Sequence, residues 1–217
     1  MLGWKAHARY PLLVAANRDE FHGRPASPAA FWRDQPDVLA GRDLSAMGTW
    51  MGVSRRGRFA AVTNYRGARE PTAAESRGAL VTGFLTDNNP PAAYMADVAS
   101  RAMQYSGFNL LVSDREELWW MSNRDGAPRK LEPGYYALGN LLLDSPEVQA
   151  VKARAAETPP AVEPLFTVVG QAKIVNPEYG TRCSTVLLDS GKQMRYAERS
   201  FEADGSEGAT VQFEFST

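Results

Sequence analysis

Tyr10-Pro11-Leu12-Leu13-Val14-Ala15-Ala16 is an apolar run that ends abruptly in the polar tetrad Asn17-Arg18-Asp19-Glu20. An apolar run of this kind, bounded by polar residues, predicts a buried strand whose end presents charged side chains. An arginine in such a place can hold an anion or polarise a thiol, so Arg18 is a candidate site residue. The simpler interpretation is a salt-bridged turn in which Asn17 or Asp19 caps the chain reversal, and the spacing alone favours it.

Three hairpins are predicted further along the chain, each with β-rich arms around a polar turn. The first covers residues 49–63 with the turn Ser54-Arg55-Arg56-Gly57, and the second runs from Phe108 to Met121. The third joins Ser184–Leu188 to Gln193–Ala197. The tail alternates Val211, Phe213 and Phe215 with polar residues, which predicts a half-buried last strand.

Helical spacing of apolar residues is confined to the middle of the chain. It predicts helices over Arg77–Leu85, Ala92–Tyr105 and Glu147–Ala156, and a Pro-rich connection over Thr158–Pro164. The order of strands, helices, strands, helix and strands predicts an α+β fold in which helices cover antiparallel sheets. No linker interrupts the pattern, so residues 1–217 are expected to form a single domain.

Composition narrows the classes of protein. The 217 residues contain 24 Lys and Arg against 25 Asp and Glu, a balance that argues against a nucleic-acid-binding protein. The single cysteine, Cys183, excludes a disulfide framework and a thiolate-rich metal site, and His7 and His22 are too few for structural zinc. The apolar runs are too short to span a bilayer. We therefore expect a cytoplasmic protein with no metal, and the sequence leaves its oligomeric state open.

Several single residues have two interpretations each. Asn64 and Asn140 follow apolar segments, where an amide can donate to a developing oxyanion or can simply end the strand. Cys183 enters an apolar strand, which favours a buried, inert thiol over a nucleophile. His22 could bind a metal or haem iron, but a surface histidine is the better interpretation. Trp119 and Trp120 are expected to point to opposite faces of one strand.

Taken together, these segments resemble the NRDE (transport and Golgi organisation) family, which is named for the tetrad at residues 17–20. Further matches lie in order along nearly the whole chain: Leu39-Ala40-Gly41-Arg42-Asp43, Gly48-Thr49-Trp50-Met51-Gly52-Val53, Thr63-Asn64-Tyr65-Arg66, Gly107-Phe108-Asn109-Leu110-Leu111, Tyr179-Gly180-Thr181-Arg182 and Glu198-Arg199-Ser200-Phe201.

The resemblance implies a fold similar to the N-terminal-nucleophile (Ntn) hydrolases, an αββα sandwich of two antiparallel sheets flanked by helices. In the similar bile-salt hydrolases and penicillin V acylases, a cysteine that follows the initiator Met attacks an amide, and its own amine acts as the base. By this resemblance Arg18, Asn64, Asn140 and Arg182 line one site. Asp19 is its carboxylate, with Glu20 as the alternative.

The chain also departs from the family pattern. Family members typically begin Met-Cys-Leu-Ile before a segment that resembles Leu2-Gly3-Trp4-Lys5, whereas here Met1 abuts that segment. The resemblance thus implies a truncated N-terminal strand without the cysteine, and Leu2 is too large for Met1 to be trimmed readily. The expected function is binding or handling of a small molecule (haem, lipid or acyl-CoA) without turnover and with no required cofactor. The alternative is an amide or acyl hydrolase whose nucleophile is missing from this chain.

Overall fold

The computed structural model describes residues 1–67 and 75–217, which form two compact units that each contain an antiparallel sheet. The first unit comprises residues 1–28, 133–137 and 146–217, and the second comprises residues 29–132 and 138–145. The strands are β1 (Leu2–Trp4), β2 (Leu12–Phe21), β3 (Ala26–Phe31), β4 (Val38–Asp43), β5 (Met51–Ser54), β6 (Phe59–Asn64), β7 (Phe108–Ser113), β8 (Leu118–Ser122), β9 (Arg129–Lys130), β10 (Gly134–Tyr136), β11 (Tyr179–Asp189), β12 (Gln193–Phe201) and β13 (Glu207–Ser216). The helices are α1 (Arg77–Thr86), α2 (Pro91–Ser100), α3 (Gln149–Glu157) and α4 (Val162–Gly170), with short 3-10 turns at Ala102–Gln104 and Pro146–Val148.

The sheet of the first unit has the strand order β10-β1-β2-β11-β12-β13 within the described ranges. Its centre is the long antiparallel pair of β2 and β11, which includes the pairings Leu188 with Leu13 and Val186 with Ala15. These four side chains lie on one face, where they pack against buried residues of α4. Their burial removes apolar surface from water and fixes α4 on this face of the sheet.

Helix α4 corrects a prediction, because the sequence pattern assigned residues 158–164 to a connection. The helix begins at Val162, so Pro164 lies in its first turn, where the missing N–H of proline has no helical acceptor to bond. The apolar face of α4 then buries four side chains: Leu165, Phe166, Val168 and Val169. The prolines at 159, 160 and 164 therefore mark the entry to a helix rather than its absence.

The sheet of the second unit has the order β3-β4-β5-β6-β7-β8-β9 along the described residues. Helices α1 and α2 pack against one face of this sheet, and both contribute to a single apolar core. Helix α1 is capped at its N-terminus by Ser76, whose hydroxyl accepts from the Gly78 N–H at 3.3 Å. At its other end the buried Arg58 donates to the Phe84 carbonyl at 2.9 Å, which satisfies an unpaired carbonyl of the last turn.

The α+β prediction is confirmed, as are the three hairpins and the last strand. Gly57 and Gly191 adopt φ angles of 81° and 82° in the first and third hairpin turns, a conformation that glycine accepts without strain. The predicted second helix is too long, because α2 ends at Ser100. The single domain over residues 1–217 stays a prediction. Among the described helices, none combines the length and the apolar character needed to cross a bilayer.

Candidate functional site

The pairing of β2 with β11 positions Arg18, Asp19 and Arg182 at one end of the first unit's sheet. The register changes at a bulge: Thr181 pairs with Asp19 and Cys183 pairs with Arg18, so Arg182 is the extra residue between them. Bulges re-aim a side chain and are frequent beside active sites. Three of the five predicted site residues are therefore neighbours, although up to 164 positions (182 − 18) separate them in sequence.

Alternation along β2 places the residues of the tetrad on opposite faces of the sheet. Asn17 lies on the α4 face, where its Nδ2 donates to the Val169 carbonyl at 2.9 Å and its Oδ1 accepts from the Ser184 hydroxyl at 2.7 Å. Asp19 lies on the same face, and its Oδ1 accepts from the Thr181 hydroxyl at 2.6 Å. Asn17 and Asp19 thus tie α4 and the segment after it to the sheet.

Asp19 is half-buried, and the loss of hydration there raises the pKa of its carboxyl above the usual value. The hydrogen bond from Thr181 acts in the opposite direction but does not cancel that effect. The Thr181 hydroxyl also accepts from the Ile174 N–H at 2.9 Å, so it links the carboxyl to the backbone beyond α4. The assignment of Asp19 as the site carboxylate stays a prediction.

The alternative carboxylate, Glu20, shares the face of Arg18 but is engaged locally. Its Oε1 accepts from the Phe21 N–H at 2.9 Å, and its Oε2 lies 3.7 Å from Nε of Arg24. Both partners of this ion pair are partly exposed to solvent, so the pair contributes little to stability.

The face opposite α4 carries a buried polar cluster that includes Arg18. Arg18 is 8% exposed, and Cys183, directly across from it on β11, is 6% exposed. Thr185 and Glu198 pair across β11 and β12 on the same face, both 1% exposed, and the Thr185 hydroxyl donates to Glu198 Oε2 at 3.4 Å. Charged side chains are rarely this buried unless they are paired or functional. We refer to Arg18, Cys183, Thr185 and Glu198 as the buried polar cluster.

Burial raises the pKa of the Cys183 thiol well above its ordinary value. The neighbouring Glu198 carboxylate raises this pKa further. The Arg18 guanidinium lowers it, but by less than burial and Glu198 together raise it. The thiolate is the nucleophilic form of cysteine, so a thiol held protonated is chemically inert at neutral pH. The geometry favours the interpretation of Cys183 as a buried, inert residue.

Arg182 reaches back along the end of β2. Its Nη1 donates to the carbonyl of His22 at 2.7 Å, and its Nε is buried without a hydrogen-bond partner among the described residues. His22 in turn places Nε2 at 2.9 Å from the Asn176 carbonyl. Within the residues that the structure describes, no three His, Cys, Asp or Glu side chains cluster as metal ligands would.

Asn64 and Asn140 lie in the second unit and contact each other. Nδ2 of Asn140 donates to the backbone carbonyl of Asn64 at 2.9 Å, and the Arg66 N–H donates to the Asn140 carbonyl at 2.5 Å. Both asparagines are exposed. The structure therefore places Arg18, Asp19 and Arg182 at one end of the first unit's sheet, with Arg18 and Asp19 on opposite faces, and it places Asn64 and Asn140 in the second unit. Their convergence on one pocket stays a prediction.

Two buried polar residues were not singled out as site residues from the sequence. Met194, Tyr196 and Glu198 are every second residue of one strand. This spacing indicates that the Glu198 side chain shares the buried face of Met194 and Tyr196. Asn109 is fully buried on β7 and donates to Thr63 Oγ1 at 3.2 Å and to the Leu141 carbonyl at 2.9 Å. The position of Asn109 inside an apolar strand segment likewise indicates a buried polar side chain.

A cavity of ≈ 220 Å³ lies on the α4 side of the first unit's sheet, away from the buried polar cluster. Its wall includes Arg199, which pairs with Glu163 at 2.8 Å and with Glu207 at 3.2 Å. None of the five predicted site residues lines this cavity.

Comparisons of the fold link the chain to an acylase. The structure of penicillin V acylase from Agrobacterium tumefaciens is similar, with a TM-score of 0.53, covering 97% of this chain and 89% of that one. The two sequences are 14% identical, so the similarity establishes the fold alone. The predicted resemblance to the Ntn-hydrolase fold is confirmed.

Comparisons of the sequence are more specific. The sequence profile of the family Transport and Golgi organisation 2 matches residues 1–162. The chain is 34% identical to the Transport and Golgi organization protein 2 homolog of Bos taurus and 32% identical to that of Homo sapiens, and each alignment covers 95% of this chain and 92% of the relative. The chain therefore belongs to the Transport and Golgi organisation 2 family.

Proposed function

We propose that this chain binds a small molecule with an apolar body and an anionic group, of the haem, lipid or acyl-CoA class, and handles it without chemical turnover. One observation supports this most. Arg18 is a buried cation, and the chain's single cysteine, directly opposite on β11, has its pKa raised well above the ordinary value. A buried guanidinium suits an anionic ligand, whereas a protonated thiol does not suit nucleophilic attack.

The three ligand classes share the chemistry that Arg18 would recognise. Haem has propionate groups, lipids have carboxylate or phosphate groups, and acyl-CoA has phosphates, each joined to a large apolar part. Arginine pairs with carboxylate and phosphate through two parallel hydrogen bonds, which gives both affinity and orientation. In this proposal haem is cargo rather than a resident cofactor.

The other predicted residues take supporting roles in the proposal. Arg182 contributes a second cation at the bulge of β11, where its Nη1 already donates to His22. Asp19 fixes the end of β2 through its hydrogen bond with Thr181, and Asn64 and Asn140 stay predicted site residues. We place this activity in the cytoplasm.

The test is a set of titrations of the purified chain with haemin, palmitoyl-CoA and palmitate. Each charged probe is matched with an analogue that lacks the anionic group: haemin dimethyl ester, palmitoyl-pantetheine and palmitamide. We expect saturable binding of one charged probe and a weaker response to its analogue. Equal binding of all charged and neutral probes, or no binding at all, would contradict the proposal.

The alternative function is hydrolysis of an amide or acyl bond, and the fold supports it because the similar solved structure is named an acylase. In this alternative a cysteine placed before the segment Leu2-Gly3-Trp4 attacks the substrate carbonyl, and its own α-amine takes the thiol proton and passes it to the departing amine or alcohol. Water then cleaves the resulting thioester and releases the acid. Arg18 lowers the thiol pKa. The test is a chain extended by Met-Cys-Leu-Ile at the N-terminus. If that cysteine labels no faster than Cys183 at mildly acidic pH and no amide or acyl ester is cleaved, the alternative is wrong.

A further inference from the structure

Two opposite charges are buried on the same face of the first unit's sheet. Arg18 on β2 is 8% exposed and Glu198 on β12 is 1% exposed, with Cys183 of the intervening strand β11 directly opposite Arg18. A buried charge is expensive unless it is paired, and two apolar side chains of similar volume would usually be at least as stable. The presence of both charges therefore needs a reason beyond packing.

The strand register allows Arg18 and Glu198 to meet. Cys183 pairs with Arg18 on one side and with Ser200 on the other, and Glu198 lies two residues before Ser200 on the same face. With strands about 4.8 Å apart and about 3.4 Å per residue, the two Cα atoms lie about 12 Å apart. The side chains of the intervening strand on this face, Cys183 and Thr185, are both small, so the two long side chains can approach each other above them.

The surroundings fix the carboxylate of Glu198. The Thr185 hydroxyl donates to its Oε2 at 3.4 Å, from the position directly across on β11. Arg18 and Glu198 both act on the pKa of the Cys183 thiol, Glu198 raising it and Arg18 lowering it, as two charges near one sulfur atom would. One oxygen of the Glu198 carboxylate is thus fixed by the neighbouring strand, on the face that also carries Arg18.

We propose that Glu198 is a positioning residue that orients the Arg18 guanidinium toward the anionic group of the ligand. This inference rests on the proposed function, because it takes Arg18 as the ligand-binding cation. Glu198 accepts hydrogen bonds from one edge of the guanidinium, and the remaining N–H groups point to the ligand. A fixed guanidinium loses less side-chain entropy on binding than a mobile one, so the carboxylate improves affinity without touching the ligand.

The first arm of the test needs no ligand. Urea unfolding is measured for Arg18→Met, Glu198→Gln and the double variant, with Glu214→Gln as the control, since Glu214 pairs with Arg195 on the surface. We expect the double variant to unfold at a higher urea concentration than the summed stability losses of the two single variants predict. The control should match the wild type. Additive losses would show that Glu198 does not hold Arg18, and would overturn the inference.

The second arm compares palmitoyl-CoA with palmitoyl-pantetheine. We expect Glu198→Gln to reduce the preference for the charged probe about tenfold, as a lost charge-assisted contact would, and Glu198→Asp to restore part of it. An equal loss of affinity for both probes would indicate only structural damage and would overturn the inference. A wild-type chain that binds neither probe would instead overturn the proposed function, and the unfolding cycle would still decide whether Glu198 holds Arg18.

Discussion

Adjacent residues of the tetrad at positions 17–20 act on opposite faces of one strand. Asn17 holds α4 through Val169 and Ser184, whereas Arg18 belongs to the buried polar cluster. The cause is the two-residue period of a strand, which separates neighbours in sequence by the thickness of the sheet. A substitution of Asn17 should therefore affect stability, and a substitution of Arg18 should affect ligand binding.

The prediction for Asn17 follows from its two hydrogen bonds. Asn17→Ala leaves the Ser184 hydroxyl without its acceptor, whereas the Val169 carbonyl keeps the Ala172 N–H at 3.0 Å. A buried group left unpaired costs about 1–3 kcal/mol, so we expect a loss of that size in urea unfolding, with the ligand affinity of the folded protein retained. Unchanged stability with loss of binding would place Asn17 in the ligand site instead.

The pH dependence of stability tests Asp19. Its folded pKa is raised by burial, so its contribution to stability is fully present below the unfolded pKa and is lost as pH rises through the folded pKa. Asp19→Asn avoids this loss and can still accept from Thr181. We expect the variant to gain stability relative to the wild type as pH rises from about 3 to 7. The opposite trend in pH-dependent unfolding would mean that the carboxylate is stabilised as a charged group.

Cys183 gives a third test at this scale. Because burial raises its pKa, the folded protein should react with a maleimide or with iodoacetamide at least about 100-fold more slowly than the unfolded chain at pH 7. Labelling is followed by intact mass with and without urea. Comparable rates in the two states would contradict the assignment of an inert thiol and would reopen Cys183 as a nucleophile.

Helix α4 depends on tertiary packing for its stability. It spans nine residues with prolines at and before its start, too short to be stable alone, and it is held by apolar contacts with β2 and β11. Leu165 is 1% exposed in that contact. We expect Leu165→Ala to lower the free energy of unfolding by about 2–5 kcal/mol. Thr167→Ala, on the exposed side of the same helix, is the matched control and should change stability little. Equal effects of the two changes would contradict this packing.

The helices and strands also show which features of the fold can be predicted from the sequence. The hairpins were predictable because alternating apolar arms and turn glycines are local signals, as at Gly57 and Gly191. Helix α4 was not predictable in this way, because its prolines indicate a connection and only four residues of clear helical spacing follow Pro164. Arg18 and Asp19 are adjacent in sequence and look like a pair. Their side chains point to opposite faces of the sheet because both residues lie in strand β2. The contact of Asn140 with Asn64, 76 positions apart, follows from no local pattern, and the family resemblance implied only that both residues line one site.

On the scale of the whole molecule, the account places both ligand-binding cations, Arg18 and Arg182, in the first unit. The chain matches its family over residues 1–162, and its fold is similar to an acylase over 97% of its length. We expect Arg182→Ala to weaken binding of the charged probe about tenfold. Arg195→Ala, which removes a surface ion pair, is the control. Unchanged affinity in Arg182→Ala would remove Arg182 from the ligand site.

The most direct measurement is calorimetric titration of palmitoyl-CoA and of haemin into the wild type and Arg18→Ala, followed by mass spectrometry of the recovered ligand. The account predicts saturable binding of one of these ligands to the wild type, a loss of about 10- to 100-fold in affinity on removal of Arg18, and recovery of the ligand intact. The claim is that this chain binds an anionic ligand through Arg18 without turnover. An affinity that is unchanged in Arg18→Ala, or a ligand recovered as cleaved products, would contradict it.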